Sequence, residues 1–174
     1  ALSVLPTTDV SVLYSRGVSA DSPAAGLVAK QVNYDGTKGS DKALSLSVQC
    51  LGQGTPLEWG VLLTDGLITH SSAASTSDKD DGASSSSGLA AYIQMVDINS
   101  GSPTVKIEDS TNGSSWADLV SFSAIADGAE PKAERVTVSG NVNRYLRITS
   151  TGTFSNAKFI LAYRRGESTD DTAY

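Results

Sequence analysis

Alternation with a period of two runs through this chain, and helical periodicity hardly appears. The clearest case is Ala43 to Leu51, where Leu44, Leu46, Val48 and Cys50 fall on one side and Ser45, Ser47 and Gln49 on the other. A strand turns successive side chains to opposite faces, so this segment reads as a half-buried strand. The same period recurs from Val28 to Tyr34, which ends at the Asp35-Gly36 turn signal. It recurs again from Leu57 to Leu63, entered through Pro56 and closed by Asp65-Gly66. It returns over 90–98, 104–109, 116–122, 135–138, 145–149 and 158–164, and Val10, Val12 and Tyr14 share one face of a short extended segment. About nine or ten strands at roughly 8–15-residue spacing predict an all-β chain, an antiparallel sandwich or barrel with little helix.

Two stretches lack the pattern. Residues 1–26 read as an extended N-terminal arm, and 69–88 as a long polar loop that buries almost nothing, either disordered or ordered by a partner. Residues 27–165 then form a single β-sandwich domain, and 166–174 a frayed C-terminal tail. The 174 residues suffice for one domain with a real core. Charged residues are 18% of the chain, against about 25% in typical domains, and small hydroxyl residues and glycine fill the gap. Pleated surfaces and turns use that composition; long amphipathic helices do not.

Several function classes fall away. One Cys allows no internal disulfide and no multi-thiolate metal site, and one His allows no His-pair zinc site. No apolar run approaches the roughly 18 residues needed to cross a bilayer, and Ala1 to Leu13 lacks the basic-then-apolar order of a signal peptide. A net charge of −6 argues against gripping nucleic acid through a basic face, though not against letting it slide past.

Individual motifs carry little chemistry. His70 has no nucleophile-elbow pattern near it and reads as a solvated loop residue. Asp78, Asp80 and Asp81 cluster before Gly82, but Lys79 interrupts them and no closing Glu follows, so a charged loop fits better than a calcium loop. Gly52-Gln53-Gly54 lacks the third glycine and the helix of a dinucleotide site. Asn112-Gly113-Ser114 matches a glycosylation sequon, although a turn explains it fully. Cys50, on an apolar face, reads as a buried inert thiol. Trp59, grouped with Leu57, Val61 and Leu63, points to the core. Trp116 follows a turn and is the one candidate for a sugar-stacking ligand platform. Arg144, Arg147, Arg164 and Arg165 are expected in ion pairs or subunit contacts. No catalytic residue, metal ligand or cofactor site is expected, and the chain does not read as an enzyme.

Two long stretches belong together. One is Lys42–Gln49 (KALSLSVQ) followed by Leu57–His70 (LEWGVLLTDGLITH). The other is Thr104–Asp118 (TVKIEDSTNGSSWAD) followed by Arg144–Phe154 (RYLRITSTGTF). This layout resembles virion proteins encoded in the tail-gene regions of long-tailed bacteriophages, most of all major tail (tail-tube) proteins, over about residues 28–165. The Val105–Asp118 pattern is also similar to jelly-roll modules that decorate virion surfaces or bind sugars. The tail-tube resemblance implies a β-sandwich or barrel protomer. Six copies would form a ring, and rings would stack around a channel through which DNA passes without specific binding. It implies other virion proteins as further partners, no membrane, no small-molecule substrate, and location in the virion after synthesis in the host cytoplasm. Tube proteins usually carry a flanking helix, and none is evident here. A capsid-decoration protein and a carbohydrate-binding module are the alternatives. The expected subunit contacts are the Val10, Val12, Tyr14 face and the Asp78, Asp80, Asp81 loop, because neither has an obvious partner within the chain.

Overall fold

A computed structural model describes residues 9–38, 44–52 and 54–166. They form fifteen strands and, among the described residues, no helix. In chain order the strands are β1 (Val10–Ser15), β2 (Pro23–Lys38), β3 (Leu44–Gly52), β4 (Glu58–Leu62), β5 (Ile68–His70), β6 (Ala74–Ser75), β7 (Lys79–Asp80), β8 (Leu89–Asp97), β9 (Ser100–Gly101), β10 (Thr104–Ser110), β11 (Ala117–Ser121), β12 (Lys132–Val138), β13 (Tyr145–Thr151), β14 (Phe154–Ser155) and β15 (Ala157–Arg165). The fold is all-β and antiparallel, as the alternation requires.

The larger sheet runs β1-β2-β4-β15-β8-β12, with β3 added to the far half of β2 and β5 to the start of β15. The second sheet runs β11-β10-β13-β6, with β7 also on β13. The main core lies between the two sheets. Ala91, Ile93 and Met95 of β8 and Phe159, Leu161 and Tyr163 of β15 meet Val105, Ile107, Leu146 and Ile148 of the facing sheet. This accounts for only one face of β8, yet Leu89 through Ile93 are all buried. The other face is covered because the larger sheet curls until β1 lies against β12, making a nearly closed six-stranded barrel. Gln94 Nε2 donates to the Ser11 carbonyl across that seam at 2.8 Å.

The barrel is narrow, and small residues make it so. Ala24, Leu62 and Ala162 pack together inside with Leu13 and Ile160 against them. The Tyr92 ring fills the space opposite Gly26, where an added Cβ would sit 2.3 Å from a ring carbon. The composition that excludes long helices therefore also permits the tight curl.

Residues 10–26, expected as an arm, are part of this barrel: β1 pairs with β2 from Val10↔Ala29 to Ser15↔Ala24. Residues 1–8 and 167–174, the rest of the expected arm and tail, lie outside the described residues, as does Gln53.

Because the Gly26 site has no room, Gly26→Ala is expected to cost about 1–3 kcal/mol, the usual penalty of overpacking. A lower denaturant midpoint with an unchanged slope would report it.

Candidate assembly surface

Residues 69–88 bury little, as expected, with only His70 and Gly88 buried, but pairing within the chain orders them. They make a strap that leaves the larger sheet at β5, crosses to the second sheet through β6 and β7, and returns at β8. Its contacts are polar, which hydrophobic patterning cannot register. Ser75 and Ala74 pair with Thr149 and Ser150, and Lys79 and Asp80 pair with Leu146 and Tyr145.

His70 is buried, contrary to its reading as a solvated residue. It closes β5 against Ala157, and its ring meets Phe159 edge-on with centroids 5.2 Å apart. Its Nδ1 lies 2.6 Å from Ser150 Oγ, which also bonds the Ala74 backbone. Burial lowers its pKa. Ser150 is itself buried, and the pair has no carboxylate partner among the described hydrogen bonds, so it pins the strap instead of forming a triad.

The acidic cluster is largely satisfied within the chain, which corrects the reason for choosing it as a subunit contact. Arg144 grips Asp80 with two nitrogens, and the Gly82 N–H donates to the same carboxylate, holding its pKa near 2. Asp81 accepts from Tyr163 Oη and Arg165 Nε, each at 2.6 Å, while Lys79 bridges it to Asp21. The remaining Arg165 nitrogens donate to Ser85 and to the carbonyls of Val142, Asn143 and Arg144. Asp78 is exposed, like the paired Asp80, on the rim of an open cleft of about 430 Å³ that Asp21, Asp65, Leu63 and Ile68 also line. Among the described residues no group of three or more His, Cys, Asp or Glu gathers to hold a metal.

A second charged group was not evident in the sequence. Glu58, Tyr92 and Arg135 come from three strands and meet inside the barrel. Arg135 makes two 2.8 Å bonds to the Glu58 carboxylate, and Tyr92 Oη donates to it as well. Burial pushes the Glu58 pKa up, but the hydrogen bonds from Arg135 and Tyr92 and the positive charge of Arg135 bring it below its ordinary value. Arg147 pairs with Glu108 on the second sheet's outer face, where its guanidinium lies 4.4 Å from the Trp116 ring centre. Trp116 is thus half-buried, with a cation already against its ring.

The uncovered apolar surface lies elsewhere. Val10 and Val12 are half-buried and Tyr14 is 55% exposed. Tyr14 stands edge-on to Trp59, which is 53% exposed, with Ala25 between them in the ladder. Trp59 does share a face with Val61, as the alternation requires, but the second sheet does not reach this far, so the core assignment fails for want of cover.

Beyond this face the chain extends a two-stranded ribbon. Among the described residues the outer half of β2 pairs only with β3, from Ala29↔Gly52 to Lys38↔Leu44. Val32, Leu44 and Leu51 are exposed on it at 49%, 67% and 61%. Cys50 is half-buried there, not enclosed in a core. No protein-family model matches the chain, and no curated protein matches it.

Two outcomes test the buried groups. Arg135→Met strands the Glu58 carboxylate and is expected to cost about 3–5 kcal/mol by chemical denaturation. For His70 the unfolded chain binds the proton more readily, so its contribution is complete above the ordinary pKa of 6.5 and is lost as pH falls below that value. Urea midpoints of the wild type should fall faster on acidification than those of His70→Gln.

Proposed function

We propose that the protein is a structural virion subunit of the tail-tube kind, whose copies assemble into stacked rings around a DNA-conducting channel. The observation that carries this reading is the ribbon. A two-stranded ribbon without a covered apolar face is marginal in water, and natural proteins guard open strand edges with charge, proline or a covering element. The nine residues of strand β3, LSLSVQCLG, include no charge and no proline, and among the described residues it pairs with β2 alone. Its open edge and exposed leucines suit pairing with another copy, and a repeated head-to-tail contact of this sort propagates.

The charge balance supports the same reading. A surface of net charge −6 disfavours capture of phosphate backbones, which suits passage of DNA. The hydrogen-bonded acidic strap and the Glu58–Arg135 pair are structural ties and supply no reacting group. Capsid decoration is the second reading, favoured by the lack of a flanking helix among the described residues.

Electron microscopy across concentration, with solution mass in parallel, tests the proposal. Hollow stacked rings are expected; a monomer at every concentration would overturn it, and a discrete trimer would favour decoration. Leu44→Lys combined with Leu51→Lys is expected to abolish stacking while leaving stability within about 0.5 kcal/mol, since both side chains are exposed.

A further inference from the structure

The Asn112-Gly113 turn joins β10 to β11, and its hydrogen bonds converge on one atom. Asn112 Oδ1 accepts from the backbone N–H of Ser114 and of Ser115, both at 2.9 Å, and from the Ser110 hydroxyl at 3.0 Å. Two backbone donors aimed at the same atom identify it as the oxygen, since an amide nitrogen accepts nothing. Ser110 Oγ in turn accepts from the N–H of Asn112 at 3.2 Å and of Gly113 at 3.0 Å. Ser110 is buried, so the attacked amide and the neighbouring backbone nitrogen share one fixed anchor. Gly113 has φ +70° and no Cβ to crowd the approach of its nitrogen, whose proton must leave its bond to Ser110 Oγ. Asn112 itself is exposed, and its Nδ2 has no hydrogen-bond partner among the described residues.

Three donors on a carbonyl oxygen are the arrangement that stabilises negative charge when that carbonyl is attacked. We propose that Asn112 is a self-modification site, converting to aspartate and isoaspartate, and that the folded turn accelerates the reaction. Hydroxide removes the Gly113 amide proton, and the nitrogen attacks Asn112 Cγ. The developing oxyanion rests on the Ser110, Ser114 and Ser115 donors. An N–C bond forms, the Cγ–Nδ2 bond breaks, and Nδ2 takes a proton from water and leaves as ammonia. A second water opens the cyclic imide at either carbonyl. The net change is asparagine plus water to an acid plus ammonia, with no other reactant. It adds one negative charge beside Asp78, whose carboxylate lies 3.4 Å from where a Gly113 Cβ would be. The isoaspartate product also lengthens the backbone and removes the acceptor that holds the Ser114 and Ser115 amides.

The test is the rate of conversion at Asn112 in intact protein at mildly alkaline pH, read by peptide mass mapping. The same chain in concentrated guanidinium chloride is the control. The native protein is expected to convert about tenfold faster than the denatured chain, the lower range for an organised oxyanion site being larger still. It should also convert faster than native Asn99, Asn141, Asn143 and Asn156. A native rate equal to or below the denatured rate would overturn the proposal, because the fold would then protect the turn. Ser110→Ala should slow the native reaction and leave the denatured rate unchanged; a faster native rate would count against the oxyanion role. The comparison in denaturant needs no variant and stands even if Ser110→Ala fails to fold.

Discussion

Strands β8 and β15 are asked to be buried on both faces at once, and the rest of the architecture follows from that demand. One face of each meets the second sheet across the main core. The other needs cover that a flat sheet cannot give, so the sheet rolls and places β1 against β12. A tight roll requires small residues where strands cross closely. Gly26 makes room for the Tyr92 ring, and a Cβ on Gly60 would sit 2.1 Å from the Tyr163 carbonyl. Sandwich and barrel thus share a wall, and a change in that wall is felt on both sides.

The polar groups enclosed by this arrangement tie elements that are distant in sequence. Glu58 and Arg135 lie 77 residues apart, and their pair joins β4 to β12 across the barrel interior. Arg165 and Asp81 do the same between the end of β15 and the strap. Buried ion pairs are costly to desolvate and are weak evidence of net stability. Their clearest effect here is on register. A strand slipped by one residue would turn Glu58 or Arg135 out of the barrel and leave the other charge alone.

Much of the fold was legible because alternation records a strand with one wet face. Residues 104–109 and 145–149 kept their pattern for that reason, whereas 44–51 form the expected strand without the expected half-burial, Leu44 being 67% exposed. Alternation cannot say which face of β8 is inside when both are, nor detect β5, β6 and β7, which are two or three residues long and placed by the backbones they meet. Trp59 was misassigned because periodicity gives a face and not the extent of the layer covering it. His70 was misassigned because its polar neighbours in sequence are not its neighbours in space; Phe159 and Ser150 are. The candidate surface was less legible still. Val10, Val12 and Tyr14 were grouped correctly on one strand, but the aromatic pair with Trp59 depends on strand order, and the acidic strap's partners are Arg144 and Arg165, more than sixty residues away.

The pairing of β2 has a mechanical meaning. Strand β2 runs as one strand from Pro23 to Lys38, with a bulge at Val32, while the chain beside it is interrupted between β3 and β4. The ribbon is therefore a cantilever with one continuous rail and one jointed rail. Bending is expected to concentrate at the joint, near Ala29, without disturbing the barrel. A pull along β2 reaches the barrel where its bonds to β1 and β4 bear the load together in shear and do not unzip singly. A protein built this way would yield sideways at the joint long before it gave way lengthwise at the root.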